Sequence, residues 1–123
     1  MGDRAIVVFT SGEGEKADYS PGVYVHWSGS AIPEMLKKAA PSLRKGDPSY
    51  AAARFCGFCH TMLEGSLGLG LFDAPTKEDI ADNFQDYSHG DNGVFIVDID
   101  TGKVVIHDND SIKPFKLPEL FKG

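Results

Sequence analysis

The sequence predicts an α+β fold: two β-hairpins forming one mainly antiparallel four-stranded sheet, with two or three helices packed on one face. Three observations lead there. Strand-like apolar runs stand in pairs near the two ends of the chain, RAIVVFT with VYVHW and VFIVDI with KVVIH. Between the pairs lies the densest helical pattern, DPSYAAARFCGFCHTML. The length of 123 residues suits one domain, residues 1–123, whose core needs no disulfide or metal to hold it.

The elements follow in order. Arg4 to Thr10 is almost continuously apolar, which predicts a strand inside the sheet with both faces covered. Ser11 to Ser20 is glycine-rich and charged and reads as a loop. Pro21-Gly22 then leads into a strand where Val23, Val25 and Trp27 point one way and Tyr24 and His26 the other, forming a hairpin with the first. Ser28 or Ser30 is placed to cap a helix whose stripe is Ile32, Met35, Leu36 and Ala39, and Pro41 ends or kinks it.

Asp47 caps the central helix, and Pro48 suits its first position because the missing N–H has no partner there anyway. Ala51, Ala52, Phe55, Cys56, Phe58, Cys59, Met62 and Leu63 form one broad apolar face, with Arg54 and Thr61 on the wetter side. Gly57 costs that helix about 1 kcal/mol relative to Ala, which points to close approach of another backbone or to a weakened helix. Gly65, Gly68 and Gly70 end it. Thr76 and Asp79 make a capping box before a short amphipathic helix through Ile80, Ala81, Phe84 and Tyr87. Asn92-Gly93 turns the chain into VFIVDI, and Asp100-Thr101-Gly102 reverses it into KVVIH. The proline-broken tail packs back through Phe115, Leu117, Leu120 and Phe121.

Cys56-Gly57-Phe58-Cys59-His60 carries the densest candidate chemistry. Over those five residues the chain resembles the CxxCH signature of c-type cytochromes, which implies thioether links to haem and His60 as an iron ligand, with Met62 or Met35 as candidates for the second. The strand-like start and the lack of an export leader oppose that reading. A thioredoxin-like dithiol needs its first cysteine at a helix N-terminus, whereas Cys56 falls well inside the helix. Zinc is the remaining alternative, with Cys56, Cys59 and His60 on one face and His26, His89 or His107 as a fourth ligand. The favoured reading is two inert core thiols and no cofactor, since free cysteines behave as small buried hydrophobes.

Charge narrows the partners. Residues 1–62 carry seven Lys or Arg against six Asp or Glu, while residues 63–123 carry five against twelve. The acidic half opposes general nucleic-acid binding and suits a basic partner surface; Lys37, Lys38, Arg44 and Lys45 read as a solvated helix surface. No run approaches membrane-spanning length, and a cytoplasmic setting is expected. Neither glycine-rich stretch has a phosphate-loop spacing. Asp98 and Asp100, with Asp108 and Asp110, lack the calcium-loop pattern. The expected function is a non-enzymatic protein-binding or regulatory module, or a homo-oligomer, presenting Tyr24, His26 and Tyr87. The alternative is a small enzyme or metal protein in which His26 shuttles a proton or Cys56, Cys59 and His60 hold an ion.

Overall fold

The structure is a computed structural model that describes residues 4–12, 17–26, 29–62, 69–72, 92–107 and 112–117. Its strands are β1 (Ala5–Ser11), β2 (Asp18–Tyr19), β3 (Gly22–Val25), β4 (Leu69–Phe72), β5 (Val94–Asp98), β6 (Lys103–His107) and β7 (Phe115–Lys116). Its helices are α1 (Ile32–Ala39) and α2 (Pro48–Met62), with 3-10 turns at Gly29–Ala31 and Ala40–Ser42. The helix predicted over 76–87 and the positions Trp27, Ser28, Leu63, Gly65, Gly68, Tyr87, His89, Asp108, Asp110, Leu120 and Phe121 lie outside the described residues.

All seven strands form one mixed sheet in the order β4-β3-β1-β5-β6-β7, with β2 also pairing to β1. This corrects the expected four-stranded, mainly antiparallel arrangement. Both predicted hairpins exist, β1 with β3 and β5 with β6, but they meet through β1 and β5 running parallel, Ile6 opposite Val94 through Thr10 opposite Asp98. The long connection through α1 and α2 is what allows it, since a parallel pair needs a crossover rather than a tight turn. Strands β4 and β7 then extend the two edges.

β1 is covered on both sides, as its unbroken apolar run predicts. Ala5, Val7 and Phe9 join Val23, Val25, Phe95, Val97 and Val104 in the core that also takes the buried faces of α1 and α2. Ile6 and Val8 form a smaller cluster with Val94 on the other face, flanked by Tyr19, Tyr24 and Ile96. The register slips by one residue between β2 and β3: Tyr19 faces Thr10, but Val23 faces Val7. Ser20 fills that bulge. Its N–H donates to the Phe9 carbonyl at 2.8 Å, and its hydroxyl oxygen accepts from the Phe9 N–H at 2.9 Å, so the interruption before Pro21 leaves no ladder group of Phe9 unpaired.

The helices sit where their stripes direct them. Ile32, Met35, Leu36 and Ala39 of α1 are all buried, while Ala51, Ala52, Phe55 and Cys59 of α2 bury against the same core, Phe55 meeting Phe9 edge to face at 5.6 Å. Asp47 caps α2 by accepting from the Tyr50 N–H at 3.1 Å. Ala31 precedes α1 and has no side chain to cap it, and the preceding 3-10 turn leads directly into the helix; Ser28, one of the two serines expected as its cap, lies outside the described residues. Gly93 takes φ +87 at the entry to β5 and Gly102 takes φ +85 at the exit of the second hairpin turn, both in the left-handed region that glycine tolerates. Among the described residues, no helix is long and apolar enough to cross a membrane.

Candidate functional site

Three groups of side chains fall to be weighed as sites. The first is the cysteine segment of α2. Cys59 is fully buried, Cys56 half-buried and His60 exposed, so the three do not share one environment. Burial raises the pKa of both thiols, and that of Cys59 is pushed up to about 12, chiefly by burial and further by the neighbouring Cys56. Burial thus disfavours the thiolate that a nucleophilic cysteine requires. Cys56 also stands two turns inside α2, away from the free amides at its start. Among the described residues, no three His, Cys, Asp or Glu converge as a ligand set.

The second group is Tyr24 and His26, which alternate along the end of β3 and emerge on the sheet face away from the helices. The Tyr24 hydroxyl and His26 Nδ1 are 2.7 Å apart, and both side chains are half-buried. Strand β4 supports the tyrosine from beneath. Gly70 pairs with Tyr24, and a side chain there would meet the Tyr24 ring at 3.7 Å, so the ring covers the glycine. Asp98 and Asp100, the described aspartates of the second hairpin, are engaged in its turn. Asp98 Oδ1 accepts from the N–H groups of Asp100 and Thr101, and the Asp100 carboxylate accepts from the Ser11 hydroxyl and the Gly12 N–H. These bonds make the pair turn-builders that fasten the second hairpin to the end of β1.

The third group lies on the outer side of α2 and is not one the sequence reading selects. Tyr50 is 42% exposed, one of two large hydrophobic side chains so exposed among the described residues. The Arg54 guanidinium lies 4.4 Å from its ring centroid and that of Arg44 lies 5.3 Å away. Arg54 is fixed, not loose: it donates to the Ser42 carbonyl at 2.8 Å and to the Tyr50 hydroxyl at 3.0 Å. Beside it a groove of about 520 Å³ is lined by Ser42, Arg54, Gly57, Phe58 and Thr61, and a smaller hollow of about 280 Å³ by Tyr50, Ala53 and Arg54.

Gly57 explains the groove. A side chain there would meet no atom within 4 Å, so no other part of the described chain requires the glycine. Its absent side chain leaves the groove floor open between Arg54 and Thr61, whose hydroxyl bonds back to the Gly57 carbonyl at 3.0 Å. The sequence signal for this face is compositional: in fifteen helical residues, Arg54 is the one Lys, Arg, Asp or Glu. No protein-family model, curated protein or solved structure matches the chain.

Proposed function

We propose that the protein is a non-catalytic protein-binding module whose contact face is the outer side of α2, centred on Tyr50. The observation that carries this reading is an exposed aromatic ring with two guanidiniums against it, lining a hollow that shares Arg54 with the neighbouring groove. Tyrosine and arginine are the residue types that most often anchor interfaces, because each supplies large contact area with a polar end. Arg54 is already immobilised by Ser42, so ordering it on binding costs little further entropy.

Charge identifies the occupant. Arg44 and Arg54 both lie against the Tyr50 ring, so its surroundings favour an acidic protein segment. That differs from a basic partner surface, which the acidic second half of the sequence suggests. The test places a photoreactive benzophenone amino acid at position 50 of the full chain, in the cells that make it. A discrete adduct is expected, cross-linked within an acidic segment and reduced several-fold when Arg44 and Arg54 are changed to Gln. The same probe at Lys38 on α1 should yield none. Equal labelling at both positions, or no adduct at position 50, removes the reading.

A second reading is favoured by the 2.7 Å contact between Tyr24 and His26. With the phenol donating to Nδ1, the neutral imidazole carries its proton on Nε2, and the pair becomes a proton-handling unit of the kind acid-base catalysis uses. Nitrogen-15 NMR of the His26 ring tests it. The Nε2-protonated tautomer is expected, and a ring protonated on Nδ1 eliminates donation by the phenol.

A further inference from the structure

We propose that the concavity beside the β6–β7 pair binds a small, doubly charged oxyanion carrying a short apolar group, with Lys103 and Lys116 as its counter-charges. The two lysines are direct partners across the antiparallel ladder. Leu117 donates its N–H to the Gly102 carbonyl at 2.8 Å, which makes Lys103 and Lys116 the following, non-hydrogen-bonded pair. That is where facing side chains come closest. Two like charges so placed oppose strand pairing, and a bound anion would relieve that repulsion.

Protection of the sheet edge accounts for half of the pair. Lysine on an edge strand discourages pairing with another chain, and Lys116 stands on the edge strand β7. Lys103 does not. It belongs to β6, which is paired on both sides, by β5 and by β7. Among the described residues neither ammonium has an ion-pair partner.

Among the described residues, the pair borders a hollow of about 450 Å³ lined by Thr101, Lys103, Pro114, Phe115 and Lys116. The volume falls within the range of small-ligand sites. Two ammonium groups and the Thr101 hydroxyl provide donors for an oxyanion, and Pro114 provides an apolar wall, while the Phe115 ring turns to the core face under Lys37. An organic phosphate and a dicarboxylate share this chemistry.

The experiment titrates the full chain with phenyl phosphate, inorganic phosphate, malonate and chloride at matched ionic strength. The lysine side-chain NMR signals and the melting temperature are followed together. Phenyl phosphate or malonate should shift the Lys103 and Lys116 signals saturably and raise the melting temperature, and the stronger of the two identifies the ligand class. Inorganic phosphate, lacking the apolar group, should bind more weakly than phenyl phosphate. Lys103→Gln should weaken the response several-fold while raising the melting temperature of the free protein, because it removes the repulsion. An identical response to all four anions, or one that persists in the K103Q/K116Q double variant, overturns the proposal and leaves the lysines as surface charges alone.

Discussion

α1 and α2 send their inner faces into the same core, yet their outer faces are built differently. α1 buries Ile32, Met35, Leu36 and Ala39 and exposes Glu34, Lys37 and Lys38, a face made for water. α2 exposes Ser49, Tyr50, Ala53, Gly57, His60 and Thr61, with half-buried Arg54 as its one full charge. A helix of small, aromatic and hydroxyl-bearing residues on its outer side gains little solvation from them. The buried stripe of each helix explains the fold, and the unlike outer faces separate a helix that only supports the sheet from one suited to contact.

The sharpest way to break this comparison is to truncate α2 on each of its two sides. Phe55 is fully buried against Phe9, and Phe55→Ala should lower unfolding free energy by about 3–5 kcal/mol, through lost burial and the cavity left behind. Tyr50→Ala, on the outer side, should cost no more than about 1 kcal/mol, the worth of exposed cation–π contacts. Urea unfolding measures both. Similar losses at the two positions would make the outer face structural and dissolve the contrast.

A smaller effect distinguishes the inner face by pH. An unfolded Cys59 thiol ionises near 9.0, whereas the folded one stays protonated to about 12. In that window the unfolded chain binds fewer protons than the folded one, so stability is fully present below pH 9 and falls as pH rises toward 12. The slope from this group is at most about 1.4 kcal/mol per pH unit. Other residues titrate there too, so the measurement is the difference between the wild type and Cys59→Ala in urea unfolding at pH 8, 9.5 and 11. Parallel curves would mean that the thiol is not held neutral by the fold.

Much of this was legible in the sequence, and the rest was not for identifiable reasons. The strands around Val7, Val23, Ile96 and Val105 and the start of α2, expected at Asp47 and found at Pro48, follow from local periodicity and from the Asp47-Pro48 pair. The parallel pairing of β1 with β5 joins residues 88 positions apart, and no local signal specifies it. β4 was hidden because Gly70 reads as a helix breaker; only the structure shows that the Tyr24 ring stands over it in the strand pair. β7, two residues long and close behind Pro114, carries no period to detect. At the candidate site Arg54 was expected on the wet side, but Tyr50 gave no sign until Arg44 was brought beside it from the preceding turn.

The helix starts sharpen the comparison further. α2 is capped by Asp47, whose carboxylate accepts from the Tyr50 N–H, so Asp47→Ala should cost about 1 kcal/mol in urea unfolding. The same Asp introduced at Ala31, before α1, should return much less. Ala31 has φ −86 and ψ −4, helical backbone angles rather than the extended ones from which a capping side chain reaches the next amides.

The smallest effect has the opposite sign. Gly57 lies in the middle of α2, where glycine costs about 1 kcal/mol relative to alanine. A methyl group there would meet nothing within 4 Å, so Gly57→Ala should raise unfolding free energy by up to about 1 kcal/mol. A natural glycine whose replacement stabilises the fold is retained for something other than stability. In α1, Ala39 is buried, and Ala39→Gly should destabilise by a similar amount or more. Gly57→Leu extends the test, since it fills the groove floor while leaving the core untouched. It should keep the fold and abolish the cross-link formed from position 50. A Gly57→Ala variant less stable than the wild type would show that the glycine serves the packing of α2, and the open groove would lose its meaning as a contact face.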